Sequence, residues 1–283
     1  MKDLKDKVAV ITGAGSGIGL ALAILCAKEG MKVVLADIDV KFLRRAKRKM
    51  ERMGASFLTV LTDVSKPTDI GALAKKTLDT FGAIHLLINN AGIGYSKYTW
   101  NYTLKDWEWQ LGVCLFGVIH GVRIFTPIML KQDTECHIVN VSSIEGLVSG
   151  SLSGGAIYGV AKHGVLSLSE TLRNEMEQIE SKVKISVVCP GWVNTRIFFG
   201  DIHRPVEFQN DSKEEIEDTK VTGIYDNLDA FLKESPPISA EQSAKIIIQG
   251  VKDENFYILT HKDHVLKGWV KKRFDEILNA FDN

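Results

Sequence analysis

Residues 8–28 read VAVITGAGSGIGLALAILCAK, and the fold is decided there. Val8-Ala-Val-Ile-Thr12 is a short, β-branched apolar run. Gly13-Ala-Gly-Ser-Gly-Ile-Gly19 is a turn, and Leu20–Lys28 is a helix-forming segment that stops at Gly30. Strand, glycine turn and helix in that order set unpaired helix N–H groups and a positive dipole end beside a backbone that a ligand can approach closely. A pyrophosphate suits that position, with Gly13, Ser16, Gly17, Ile18 and Gly19 forming its cradle. The spacing is Thr-Gly-x-x-x-Gly-x-Gly, because Ile18 stands where the usual dinucleotide fingerprint has its third glycine.

The pattern continues outward from this turn. Lys32–Ala36 reads as a second strand ending in Asp37, some eighteen residues beyond Gly19. A carboxylate there accepts hydrogen bonds from ribose hydroxyls and repels a 2′-phosphate, so NAD is expected over NADP. Arg44 and Arg45 are the argument for NADP. Phe57–Leu61 is a third strand running into Thr62-Asp63-Val64, Ile70–Phe81 a helix, and His85–Asn89 a fourth strand ending in Asn90-Ala91-Gly92. His137–Val141 is a further strand, followed by Ser142 and Ser143. Apolar strands alternating with amphipathic helices specify an α/β, Rossmann-like, doubly wound parallel sheet in a single domain. Ligands of such sheets bind beyond the carboxyl ends of the strands, and each polar or glycine cluster falls at such an end.

Tyr158 and Lys162 are four apart, so on a helix both side chains share one face. An ammonium beside a phenol favours the phenolate and is expected to lower the pKa of Tyr158 from about 10, which would make it a proton acceptor near neutral pH.

Composition narrows the function classes. The chain has 283 residues, a formal net charge of zero and a pI near 7.1, which gives no electrostatic argument for nucleic acid or an anionic membrane. The basic run Lys41–Met50 carries Phe42, Leu43, Ala46 and Met50 at helical spacing and reads as a solvated helix. Cys26, Cys114, Cys136 and Cys189 show neither Cys-x-x-Cys nor metal spacing to histidine, so reduced thiols, a cytoplasmic location and no metal site are expected. His261 and His264 lack a third ligand and read as a surface pair. The start of the chain passes straight into a strand without the apolar core of a signal peptide, and no uncharged apolar run reaches the roughly 18–20 residues of a membrane span.

Taken together, Thr12-Gly13-x-x-x-Gly17-x-Gly19, Asp63-Val64, Asn89-Asn90-Ala91-Gly92, Ser143, Tyr158-x-x-x-Lys162 and Pro190-Gly191-x-Val193-x-Thr195 resemble a short-chain dehydrogenase/reductase, in that family's order, from about Lys5 to Thr195. The resemblance implies an oxidoreductase moving a hydride between a nicotinamide dinucleotide and a secondary alcohol or ketone. It implies Tyr158 as acid/base, Lys162 as the group holding the nicotinamide ribose and depressing the Tyr158 pKa, and Ser143 as the hydrogen-bond partner of the substrate oxygen. It further implies Asp63 and Val64 near the adenine, Asn90, Ala91 and Gly92 along the ribose, and Pro190, Gly191, Val193 and Thr195 at the carboxamide.

The chain departs from the pattern in two places. Ser143 and Tyr158 are fifteen residues apart where many members have thirteen, which reads as an insertion in the Ser149–Gly155 loop. Cys114, in Val113-Cys114-Leu115-Phe116-Gly117, stands where the family usually has an asparagine, and a thiol cannot supply an amide's fixed geometry. Cys114 is the ground for an alternative, a dinucleotide-binding protein with weak catalysis.

Residues 5–195 read as the cofactor and catalytic core, 196–238 as a substrate lid, and 239–283 as a helix, a last strand and a tail helix. The lid includes a helix-forming stretch at Ile224–Leu232. Its Ile197, Phe198 and Phe199, with Leu147, Val148 and the Tyr95–Trp100 loop, suggest a largely apolar substrate pocket. The Trp107–Phe125 and Tyr158–Ile179 segments are apolar on more than one face, which fits a homodimer or homotetramer.

Overall fold

The computed structural model describes residues 1–148, 155–210 and 232–282, the side chains of Phe198, Phe199 and Asp201 excepted. Seven parallel strands form one sheet in the order β3-β2-β1-β4-β5-β6-β7. They are β1 Val8–Thr12, β2 Lys32–Asp37, β3 Phe57–Leu61, β4 Leu86–Asn89, β5 Cys136–Val141, β6 Val183–Cys189 and β7 Tyr257–Leu259. β1, β4 and β5 are buried at every residue, as strands covered on both faces must be.

Side-chain alternation along the strands divides the core in two. Ala9 and Ile11 of β1 pack with Val33 and Leu35 of β2 against α1 (Gly17–Lys28) and the Ala240–Lys252 helix. Val8, Val10 and Val34 pack on the other face with α3 (Pro67–Phe81) and the long helices that follow. Order reverses between β1 and β4, so their carboxyl ends diverge and leave a crevice.

Several elements begin or end away from their expected bounds, each for a local reason. α3 starts at Pro67, whose missing N–H and fixed φ suit the first turn. Ser239 and Gln242 form the expected capping box of Ala240–Lys252. The Trp107–Phe125 segment is interrupted. α4 (Leu104–Leu111) passes into a π-helical turn at Gly112–Phe116 and then into α5 (Gly117–Gln132), and Cys114 lies in that turn. Among the described residues, Leu104–Gln132 alone is long and apolar enough to cross a membrane. It is a core helix here: Val118, Phe125 and Met129 pack beneath the sheet. The expectations for residues 149–154, for Phe198 and Phe199 as pocket residues, and for a helix at 224–231 lie outside the described residues.

Candidate active site

The crevice becomes a groove because the ends of β1 and β4 are tied together. The Thr12 hydroxyl accepts the N–H groups of Asn90 and Ala91 at 2.9 and 3.1 Å, and Asn90 Nδ2 donates to the Thr12 carbonyl at 2.9 Å. Gly13 and Gly17 have φ of 65° and 51°, the left-handed region that a side chain disfavours. Gly19 packs so closely that a Cβ would lie 2.2 Å from the Gly13 carbonyl oxygen. Ser16 is the N-cap of α1 and makes no side-chain cap bond.

At one end of the groove Asp37 closes β2. Its Oδ2 accepts the Gly15 N–H at 2.8 Å and its Oδ1 the Asp39 N–H at 2.9 Å, so the carboxylate is held against the glycine turn. Burial pushes its pKa up against these bonds. Phe42, from α2 (Val40–Arg52), lines this end, flanked by the guanidinium groups of Arg45 and Arg196 at 5.9 and 5.5 Å from its ring centre.

At the other end three side chains converge from β5 and α6 (Ala156–Gln178). Ser143 is buried and caps the 3-10 turn Ile144–Gly146, its hydroxyl accepting the Glu145 N–H at 3.2 Å. Ser142 has another task, because its hydroxyl donates to the Lys162 carbonyl at 2.7 Å. Lys162 is 2% exposed, and its Nζ donates to the Val141 carbonyl at 2.9 Å and stands 5.5 Å from the Tyr158 ring centre. Burial lowers the Lys162 pKa and raises that of Tyr158; a hydrogen bond with Ser143 acts in the opposite sense on the phenol. The expected depression of Tyr158 by Lys162 is therefore absent. Desolvation dominates, and the ammonium is turned to a backbone carbonyl.

Cys114 sits behind this cluster. Its thiol donates to the Ile93 carbonyl at 3.2 Å and accepts the Ile93 N–H at 3.4 Å, which fixes the chain just after Gly92. His261 is buried, not on the surface as expected. Its Nδ1 is 2.9 Å from the Thr260 hydroxyl, which accepts the Gly191 N–H at 3.2 Å, so it backs the Pro190-Gly191 turn.

Residues 195–208 form a strap along the groove. The Thr195 methyl lies 3.3 Å from where a Gly17 Cβ would stand, and the Gly94 N–H donates to the Ile197 carbonyl at 2.8 Å. His203 Nδ1 is 3.6 Å from Asp39 and its ring meets Phe42 edge-on. Arg204 donates to the fully buried Asp106 carboxylate at 2.6 Å and stacks over Trp109 at 4.9 Å. Asp106 also accepts the Thr103 N–H and Asn210 Nδ2, and these bonds outweigh its burial and lower its pKa.

Residues 7–201 match the family profile described as short chain dehydrogenase. The chain is a short-chain dehydrogenase/reductase. A similar protein is the CLA biosynthesis dehydrogenase/reductase of Lactiplantibacillus plantarum, 32% identical over 274 residues, which span 93% of this chain and 91% of that one. Among solved structures, a short-chain dehydrogenase/reductase from Burkholderia phymatum in complex with NAD superposes with a TM-score of 0.89 at 38% identity, covering 99% of this chain and 97% of that one. The apo form of LigO from Sphingobium sp. strain SYK-6 gives 0.80 at 26% identity, covering 99% and 91%.

In this short-chain dehydrogenase/reductase one continuous groove is lined by Gly13, Ser16, Gly17, Ile18, Asp37, Val64, Asn90, Ala91, Gly92, Ser143, Tyr158, Lys162, Pro190, Gly191, Val193 and Thr195. Two expected site residues stand off it. Gly19 lies beneath the turn, and the Asp63 carboxylate accepts from the Ser65 N–H and hydroxyl and pairs with Lys66 at 3.4 Å. Its neighbours Thr62 and Ser65 line the groove instead. Phe42, Trp192, His203 and Glu145 also line it and carried no sequence signal beyond residue type.

Proposed function

We propose that this oxidoreductase transfers a hydride between NAD(H) and the carbinol carbon of a secondary alcohol, or the corresponding ketone, on a largely apolar substrate, with Tyr158 as general acid/base. The convergence of the Ser143 hydroxyl, the Tyr158 phenol and the Lys162 ammonium at one end of a groove whose other end is closed by Asp37 carries this reading. The glycine turn fits a dinucleotide, since side chains at Gly13, Gly15 and Gly19 would strike Ala91, Asp37 and the Gly13 carbonyl, and the turn could not hold the backbone N–H groups at the start of α1 toward a pyrophosphate. A bound nicotinamide dinucleotide would supply the hydride acceptor and, when oxidised, a positive charge that would favour the phenolate of Tyr158.

The protein's own residues do the rest. Ser143 holds the substrate oxygen within reach of the phenol. Tyr158 takes the hydroxyl proton during oxidation and returns it during reduction. Lys162, which donates to a β5 carbonyl from inside the core, holds the ribose and a positive charge behind the phenol. Asp37 selects NAD by accepting from ribose hydroxyls and opposing a phosphate. Ile93, Trp109, Val113 and Ile197 give the substrate end its apolar walls, and the 195–208 strap runs along it. A second copy of the chain would cover Phe116 on the π turn, Val160 on α6 and Ile179 at its end, which are 47–57% exposed.

The test follows NADH absorbance with a panel of secondary alcohols. Tyr158→Phe is expected to lower kcat by about 10²–10⁴-fold while NADH still saturates the protein. NAD binding with no turnover of any alcohol or ketone would refute the enzymatic reading in favour of a binding protein.

A further inference from the structure

One ionisable group in the groove has no part in the chemistry above. Glu145 follows Ser143 by two residues, on the 3-10 turn Ile144–Gly146, and lines the substrate end. It is 3% exposed, and its Oε1 has no hydrogen-bond partner. Asp106 shows how this protein treats a buried carboxylate it keeps for structure: backbone, guanidinium and amide donors surround it. Glu145 has no such set among the described residues.

The turn that carries Glu145 is rigid. Its own N–H is held by Ser143, and a Cβ on Gly146 would lie 2.3 Å from Ser142 Oγ and 2.7 Å from the Lys162 carbonyl oxygen, so the turn is pressed onto α6. The backbone that carries the carboxyl is therefore fixed relative to Ser143 and Tyr158. Of the charged and titratable groups around it, Tyr158 meets the Ser143 hydroxyl, and three others bond backbone carbonyls. Lys162 donates to the Val141 carbonyl, His163 Nδ1 faces the Gly159 carbonyl, and Arg273 of the terminal helix donates to the Leu147 carbonyl. A buried polar group without a partner is costly, and at a ligand site the missing partner belongs to the ligand.

We infer that Glu145 is a specificity residue that hydrogen-bonds a second hydroxyl of the substrate, close to the reacting carbinol, so that vicinal diols and their hydroxyketones are favoured over the corresponding simple alcohols and ketones. This rests on the oxidoreductase reading of the groove. Burial pushes the carboxyl up to about 7, and a carboxyl that keeps its proton both donates and accepts, as a hydroxyl partner requires. An ammonium on the substrate would instead require the carboxylate.

The experiment compares kcat/KM for 1-phenyl-1,2-ethanediol and 1-phenylethanol, with NAD, in the native enzyme, Glu145→Gln and Glu145→Leu. The native enzyme is expected to favour the diol by about 10–100-fold, the effect of one buried hydrogen bond that the mono-alcohol leaves unmade. Glu145→Leu lowers that ratio at least tenfold, and Glu145→Gln, whose amide still donates and accepts, keeps most of it. An unchanged ratio in Glu145→Leu, or no diol preference in the native enzyme, overturns the inference and leaves the oxidoreductase reading intact. Calorimetric titration of the diol into the native and Glu145→Leu proteins saturated with NADH reads the same preference without turnover. Weaker diol binding in Glu145→Leu supports the inference even where no alcohol is oxidised, and equal binding overturns it. Oxidation of 2-amino-1-phenylethanol in preference to the diol also overturns it, because that outcome assigns the carboxylate to a cation.

Discussion

Replacing Glu145 with glutamine should change how stability depends on pH. The ordinary glutamate value is 4.5, and burial raises it to about 7 in the folded protein. Between those values the folded chain keeps a proton that the unfolded chain has released, so the contribution of Glu145 to stability falls as pH rises from about 4.5 to about 7 and is level above that. The difference between the two values corresponds to about 3 kcal/mol. Glutamine does not ionise, so Glu145→Gln should gain about that much on the native protein between pH 4.5 and pH 8. His137, lowered to about 3 by burial beside the N-terminal ammonium and Lys184, titrates in the opposite sense, its stability contribution rising between about 3 and 6.5. It is common to both proteins and cancels in the difference. Urea denaturation followed by tryptophan fluorescence at pH 5, 6, 7 and 8 measures that difference, and calorimetry should show it as a Tm gap that opens by roughly 5 °C. Parallel native and variant curves over this range would mean that Glu145 is ionised and paired, and would refute the reasoning.

Other substitutions probe the rest of the groove. Asp37→Ser should weaken NADH binding and strengthen NADPH binding, each by about tenfold, the effect of about one charge-assisted hydrogen bond, as read by fluorescence titration of the two reduced cofactors. Arg204→Met leaves the fully buried Asp106 carboxylate without its guanidinium and should cost about 3 kcal/mol, measured by urea denaturation at pH 7. Gly19→Ala sets a methyl 2.2 Å from the Gly13 carbonyl oxygen, which must move, so NADH affinity should fall at least tenfold.

The strands beside the glycine turn were legible because a parallel strand buried on both faces leaves an unbroken apolar run, as in Val8–Thr12 and Lys32–Asp37. β6 gave a weaker signal, with Lys184 exposed and Ser186 breaking the run; that serine donates to the Asn255 carbonyl and meets His137 at 2.7 Å. No composition marks a π turn, so the Trp107–Phe125 run reads as one helix until the backbone is seen. Motif spacing points to Ser143, Tyr158 and Lys162 as neighbours, and the fold sets them side by side, but spacing carries no information on desolvation, which raises the Tyr158 pKa. For the same reason Glu145 carries no signal in the sequence and His261 reads there as a surface residue. In sequence Ile-Glu-Gly and Thr-His-Lys look like solvated loops, and only tertiary packing buries them. Phe42 shares a helix with Leu43, Ala46 and Met50, yet turns toward Asp37 rather than into the core.

The strap over residues 195–208 gives the two ends of the groove a common clock. Thr195 rests on the glycine turn, His203 on the Asp37 end, and Arg204 on the wall of the substrate end. A dinucleotide held under it would leave only when those contacts part, so its residence time would depend partly on the buried Arg204–Asp106 ion pair at the substrate-end wall. Loosening Arg204 should therefore shorten the lifetime of the cofactor complex and leave its association rate nearly unaltered.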